Sequence, residues 1–281
     1  VSDPRPIGVF DSGLGGLTAV RELFRVLPSE SIVYFGDTAR LPYGTKSRDT
    51  VTRFSLEIAS FLVRQDIKCL LVACATASSY ALETLEQRLQ VPVVGVIRPA
   101  AAVAVQASAN RRIGVLGTPA TVSSRAYPEA IAALAPKAVV TSTACPLFVP
   151  LIEEGWIDHA VTRQVAAEYL EKLKAARPES VILGCTHYPL VASVLQQQLG
   201  ADVKLVDSGA EAARALAVLL AERGLLSGGP AHHRFYLSDE RIQFQRIAES
   251  FLGRPMPAIT IVDQTDLPWF ERTLPAHEAS A

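Results

Sequence analysis

Short apolar runs of strand length punctuate the chain at 7–10, 32–35, 70–73, 93–96, 113–116, 139–141, 181–183, 203–206 and 235–237. Each is rich in Val, Ile, Leu or Phe, and most are followed by Gly, Asp, Ser or Thr, which reads as a strand ending in a turn. Between these runs the apolar period changes. After Ser47, a helix-capping residue type, Val51, Phe54, Ile58, Phe61 and Leu62 recur at three- and four-residue steps, and Val161, Val165, Tyr169 and Leu173 do so after Asp158. Strand and helix in alternation predict an α/β fold with mostly parallel sheets flanked by helices. In such folds ligands bind beyond the carboxyl ends of the strands, so those ends carry the functional expectation.

A faint internal repeat divides the chain. Ile7-Gly8-Val9-Phe10 and Ile113-Gly114-Val115-Leu116 nearly match, and each precedes a later strand that ends in cysteine. Cys74 lies 67 positions after Ile7 (74 − 7) and Cys185 lies 72 after Ile113 (185 − 113). The expectation is two similar domains facing each other across an active-site cleft. A second Asp-Ser-Gly, Asp207-Ser208-Gly209, suggests that the chain returns to the first domain there. The expected partition is 1–98 plus 207–263 for the first domain, 99–206 for the second and 264–281 as a C-terminal tail.

Composition narrows the function classes. The 281 residues are 49% hydrophobic, ample for a core, and the net charge of −1 gives no field that would draw the chain to nucleic acid or an anionic membrane. The longest apolar stretch, 91–107, is interrupted by Pro92, Arg98 and Pro99, so it does not read as a membrane span. The first residues lack the basic region and apolar stretch of a secretory signal, and a cytoplasmic location is expected. Four cysteines in a chain of this length do not make a disulfide framework. Cys185 and His187 lack a second ligand pair, so no metal site is expected.

Two cysteines stand out. Cys74 and Cys185 close apolar runs and are followed by polar residues, whereas Cys69 and Cys145 read as core. His187, two residues after Cys185, can raise the thiolate fraction or carry a proton. The turn Asp11-Ser12-Gly13-Leu14-Gly15-Gly16 offers amides, a hydroxyl and a carboxylate; it matches neither G-x-G-x-x-G nor G-x-S-x-G. The loop 36–45 brings hydroxyls from Tyr43 and Thr45, and reads equally as structural or as substrate-contacting. His232 and His233 are expected to face solvent.

At these motifs the chain resembles the glutamate racemases, cofactor-independent enzymes of the aspartate/glutamate racemase family. The likeness is carried by Gly8 to Leu17, Tyr34 to Arg40, Pro42-Tyr43-Gly44, Ala73-Cys74, Ala144 to Pro150 and Leu183 to Leu190. Asp207 to Glu211 and the stretch from Phe235 to Gly253 continue it, so it spans nearly the whole chain. The resemblance implies two α/β domains and interconversion of L- and D-glutamate without pyridoxal phosphate or metal, with D-glutamate going to peptidoglycan. It implies Cys74 and Cys185 as the acid/base pair, assisted by Asp11 and His187, with Glu153 behind them. Ser12, Pro42, Tyr43, Gly44, Thr76, Thr186 and His187, together with Asp11, would hold the substrate, and Thr118 and Thr121 would meet its side-chain carboxylate. The implied partner is a small molecule, with no nucleic acid or membrane; a homodimer is compatible with the sequence.

One departure is plain. Ala75 stands where the family normally has asparagine, removing a side-chain donor and acceptor next to Cys74. It keeps two other readings open: a racemase of aspartate or of a cyclic amino-acid derivative, and a non-catalytic amino-acid binder. A cysteine hydrolase through Cys185 and His187 is a further alternative; it would need one thiol, not two. Arg98, where relatives often carry an acidic residue, is a smaller departure.

Overall fold

The computed structural model describes residues 2–240 and 244–262. In chain order the elements are β1 (Ile7–Asp11), α1 (Leu17–Val26), β2 (Ile32–Gly36), α2 (Arg48–Val63), β3 (Cys69–Val72), α3 (Ala75–Arg88), β4 (Val93–Gly95) and α4 (Ile97–Gln106). There follow β5 (Arg112–Gly117), α5 (Pro119–Ser123), α6 (Ala126–Leu134), β6 (Val139–Ala144), α7 (Phe148–Glu153), α8 (Ala160–Ala175), β7 (Ser180–Gly184) and α9 (Ala192–Leu199). The described chain closes with β8 (Lys204–Asp207), α10 (Ser208–Glu222), β9 (His233–Leu237), α11 (Phe244–Leu252) and β10 (Ile259–Ile261). The expected tail, 264–281, lies outside the described residues.

The strands form two all-parallel sheets. One has the order β10-β9-β2-β1-β3-β4 and the other β6-β5-β7-β8. The first therefore collects strands from both ends of the described chain, and the second is built from 112–207. Every residue of β1, β2, β3 and β7 is buried, because helices cover both faces of a parallel sheet. That is why these strands read as unbroken apolar runs.

The alternation of strand and helix is the one the sequence predicts, with small differences. Strand β3 begins at Cys69, one residue before the predicted run, because Cys69 pairs with Ile7 of β1. Strand β10 has no predicted counterpart: three residues at a sheet edge are too short to show a period, and its pairing with β9 decides it. His233 is not a solvent-facing residue before a strand. It opens β9, and its ring packs 4.5 Å from that of Phe24.

Two local features depart from common practice. Arg98 sits in the first turn of α4, where a cation is disfavoured by the helix dipole, and it pairs with Glu86 of α3 at 2.6 Å. Lys68 is wholly buried before β3. Its ammonium donates to the carbonyls of Asp3 (2.8 Å) and Leu225 (2.7 Å) and pairs with Glu30 at 2.6 Å, tying three segments together. Lys68→Met strands the buried Glu30 carboxylate, so a loss of about 3–5 kcal/mol is expected in urea unfolding. A loss below about 1 kcal/mol would mean that the pair is replaceable by apolar packing.

Candidate active site

The loops after β1, β2, β3, β5, β6 and β7 converge on a cavity of about 120 Å³ at the carboxyl ends of both sheets. Cys74 follows β3 of the first sheet and Cys185 follows β7 of the second, and both line this cavity. It is lined also by Ser12, Pro42, Tyr43, Gly44, Thr76, Thr118, Glu153, Thr186 and His187. Asp11 is fully buried behind Ser12, and Thr121 is buried beside Thr118. Cys69 and Cys145 are buried away from the lining.

Cys74 occupies the N-cap of α3, and its sulfur accepts from the Ala77 amide at 3.5 Å. Ser12 Oγ lies 3.7 Å from the same sulfur. Burial pushes the Cys74 thiol up to about 12, and the nearby Asp11 carboxylate adds to the rise. The helix terminus and Ser12 oppose this but do not win. Cys74 is thus held as a neutral thiol at neutral pH.

Asp11 ends β1, and its Oδ2 accepts from the Gly13 amide at 3.0 Å. The turn is held from below by Tyr34, whose hydroxyl donates to the Gly13 carbonyl at 2.7 Å. Burial raises the Asp11 carboxyl, offset in part by the charge of His187 and by turn amides. Its Oδ1 has no hydrogen-bond partner among the described residues.

On the other side, Cys185, Thr186 and His187 form the turn after β7. His187 Nδ1 is 3.9 Å from Cys185 Sγ and 3.4 Å from Thr186 Oγ1, while Nε2 is 3.2 Å from Glu153 Oε1 of α7. Burial alone would lower the imidazole. The hydrogen bonds to Cys185 and Glu153 outweigh it and raise His187 to about 10. A ring protonated at neutral pH can donate through both nitrogens, to the sulfur on one side and the carboxylate on the other. The two thiols therefore stand in opposite electrostatic settings: an anion beside Cys74 and a cation beside Cys185.

A further part of the wall comes from the turn at Tyr43–Thr45. The Tyr43 hydroxyl does not face the cavity as a free donor; it is given to Asp37 Oδ2, which also accepts from Arg40 Nε at 2.8 Å. What the turn offers is its main chain. Gly44 packs so closely on Thr118 that a methyl there would fall 2.7 Å from Thr118 Cβ. Thr76, Thr118 and Thr121 form a triangle of hydroxyls at 3.0–3.1 Å, which joins α3 of the first sheet to the β5–α5 loop of the second. Ala75 presents only a methyl group beside Cys74.

Part of the wall carries no chemistry that a motif would name. Gly13, Leu41, Pro119, Pro146, Val149 and Pro150 also line the cavity. The signal for Pro146, Val149 and Pro150 was present in the motif 144–150, but a proline or valine names no chemistry by itself. Among the described residues no lysine or arginine lines the cavity, and hydroxyls, amides, thiols and one imidazole supply the donors there. Among the described residues no three of His, Cys, Asp and Glu gather to hold a metal ion, and no helix is long and apolar enough to cross a membrane.

Two α/β sheets each deliver one thiol to a shared cavity, with the His187 imidazole beside one of them. A model of the family described as Asp/Glu/Hydantoin racemase matches residues 9–216, and the chain belongs to that family. It is 51% identical over 251 residues to a glutamate racemase of Geobacter metallireducens, covering 89% of this chain and 93% of that protein. The crystal structure of glutamate racemase isoform RacE1 from Bacillus anthracis superposes with a TM-score of 0.89 at 39% identity, covering 92% of this chain and 98% of that one. Glutamate racemase from Francisella tularensis, solved in complex with D-glutamate, gives 0.89 at 40% identity, covering 94% of this chain and 100% of that one.

Proposed function

We propose that this protein is a glutamate racemase that moves the α-proton between L- and D-glutamate with Cys74 and Cys185 as the two bases. The observation that carries the proposal is the meeting of both thiols, from corresponding strand ends of two sheets, in one small cavity. The likeness to glutamate racemases, one of them solved with D-glutamate, selects the substrate.

The chemistry divides between the two settings. The imidazolium of His187, oriented by Glu153, lies against the Cys185 sulfur, while Cys74 on the other side is held protonated. One thiolate takes the α-proton from one face of Cα as the opposite thiol gives a proton to the other face, so the sulfurs end with their roles exchanged. The reverse reaction starts from that exchanged state. For it the Asp11 field is useful, because raising Cys74 makes its thiolate a stronger base toward a very weakly acidic C–H. Hydroxyls of Ser12, Thr76, Thr118 and Thr186 and the main-chain amides of Tyr43 and Gly44 would hold the two carboxylates, with Pro42 shaping the turn beside them. In a small site whose donors are mostly buried, such fixed dipoles act more strongly than in water. D-glutamate made this way in the cytoplasm would feed peptidoglycan synthesis.

Heavy-water proton NMR tests the reading. Loss of the α-proton signal of L-glutamate, together with formation of D-glutamate, is expected. Unchanged substrate would leave an amino-acid binder as the better description.

Ala75 gives a separate expectation. Ala75→Asn restores a donor and acceptor beside Cys74, and a buried hydrogen bond of about 1–3 kcal/mol corresponds to a rise in kcat/KM for glutamate of about ten- to a hundredfold. No gain, or a loss, would show that the cavity is shaped around the methyl group and would favour a different substrate.

A further inference from the structure

Two residues with no chemistry of their own press on His187. The Phe251 ring, fully buried on α11, stands at 81° to the imidazole with centroids 4.9 Å apart. Gly15, in the turn after β1, approaches so closely that a methyl there would meet the Thr186 hydroxyl and fall 2.6 Å from His187 Nδ1 and 2.7 Å from Cε1. These contacts come from elements that bear neither catalytic thiol. Neither residue can donate, accept or carry a proton through its side chain, so any effect on proton transfer is indirect, through the imidazole for Phe251 and through the imidazole and the Thr186 hydroxyl for Gly15.

We propose that Gly15 and Phe251 are positioning residues that keep the His187 ring in the orientation where Nδ1 meets Cys185 and Nε2 meets Glu153. The proposal deepens the racemase reading and rests on it for its kinetic consequence. The distances leave little slack: 3.9 Å to the sulfur and 3.2 Å to the carboxylate are both at the long end of useful contact, and a small ring rotation loses one or both. Phe251 supplies bulk that stops the ring turning toward α11. Gly15 supplies the reverse, a gap that only a missing side chain leaves open. The first turn of the chain and the last described helix thereby meet on one imidazole.

The groups whose charge reaches His187 are Cys185 in its own turn, Glu153 from α7 and Asp11 from the end of β1. From α11 the contact itself is apolar, and Arg246 of that helix lies beside Gly155 after α7. Since the two hydrogen bonds hold the imidazole near 10 against the opposite effect of burial, losing them moves it back toward the ordinary histidine value.

The test is a pH titration of the ring nitrogens by NMR in 15N-histidine-labelled full-length protein, with His187 assigned from the His187→Asn spectrum. Gly15→Ala, Phe251→Ala and the bulk-retaining Phe251→Leu are compared with the unaltered protein, together with kcat and KM for racemisation. The His187 midpoint is expected to fall by about one unit or more in Gly15→Ala and Phe251→Ala, and by less in Phe251→Leu. With it kcat falls by about ten- to a hundredfold, as for a misplacement near 1 Å; KM moves by less than about threefold in the Phe251 variants, whereas in Gly15→Ala it also reads the displaced Thr186 hydroxyl. An unshifted midpoint in folded Gly15→Ala and Phe251→Leu, with activity reduced only in proportion to folded protein, would overturn the proposal. A shift in Gly15→Ala alone would overturn the part assigned to Phe251. If the unaltered protein does not racemise glutamate while the midpoints shift as stated, the racemase reading fails and the positioning role stands.

Discussion

Cys74→Ser is expected to reduce racemisation by about 10³–10⁴-fold, since it removes one of two acid–base groups and leaves the other. The substitution is chosen for what it preserves. Serine is a favoured helix N-cap, so the start of α3, where the Cys74 sulfur now accepts from the Ala77 amide, keeps its acceptor. The loss therefore reads proton transfer rather than folding. With one thiol left, the enzyme can still remove and return the α-proton on a single face. In heavy water Cys74→Ser should wash deuterium into one enantiomer of glutamate with retention, and Cys185→Ser into the other. Equal exchange of both enantiomers by either variant would contradict one thiol per face. A hydrolase working through Cys185 and His187 would survive Cys74→Ser, so the same variant separates those two readings. Because enantiomers are equal in free energy, kcat/KM must remain equal in the two directions for every variant, which gives an internal check on each measurement.

His187→Asn should lower kcat by about 10²–10³-fold, within the range for loss of a positioned acid–base group. The pH dependence is the sharper readout. The folded His187 sits near 10, above its ordinary 6.5, so its proton is retained through neutrality and lost as the pH rises through about 10. A native alkaline limb near that value is expected, and it should vanish in His187→Asn. The stability linkage has the same sign. A folded value raised above the unfolded one contributes stability that is fully present below about 6.5, declines as the pH rises and is gone above about 10. Thermal unfolding of the native protein should therefore decline over that window by more than that of His187→Asn. Parallel declines in the two proteins would mean that His187 holds no extra proton in the folded state.

Much of this site could be read along the chain because its parts are local. A cysteine at the end of an apolar strand, a threonine beside it and a histidine two residues on all fall within a few residues, and the parallel-sheet rule points to those strand ends. Other features are not visible in local periodicity, and Glu153 entered only through the family resemblance. The Glu153–His187 contact joins residues 34 positions apart, on α7 and after β7. The Tyr43 hydroxyl reads as available to a substrate, yet it is given to the buried Asp37 while its ring packs on Phe54 of α2. Strand β10 has three residues, too few for a period to show, and it exists because β9 offers it an edge.

By itself the sequence determined the class of fold, the two cysteine-bearing strand ends and the carboxylate and imidazole set near them, because periodicity and turn chemistry are written in neighbouring residues. Only the tertiary structure decided that the two ends share a cavity, that an anion backs one sulfur and a cation the other, and that Gly15 and Phe251 close on one ring. Those are distances and burial between segments remote in the chain, and electrostatic strength depends on both.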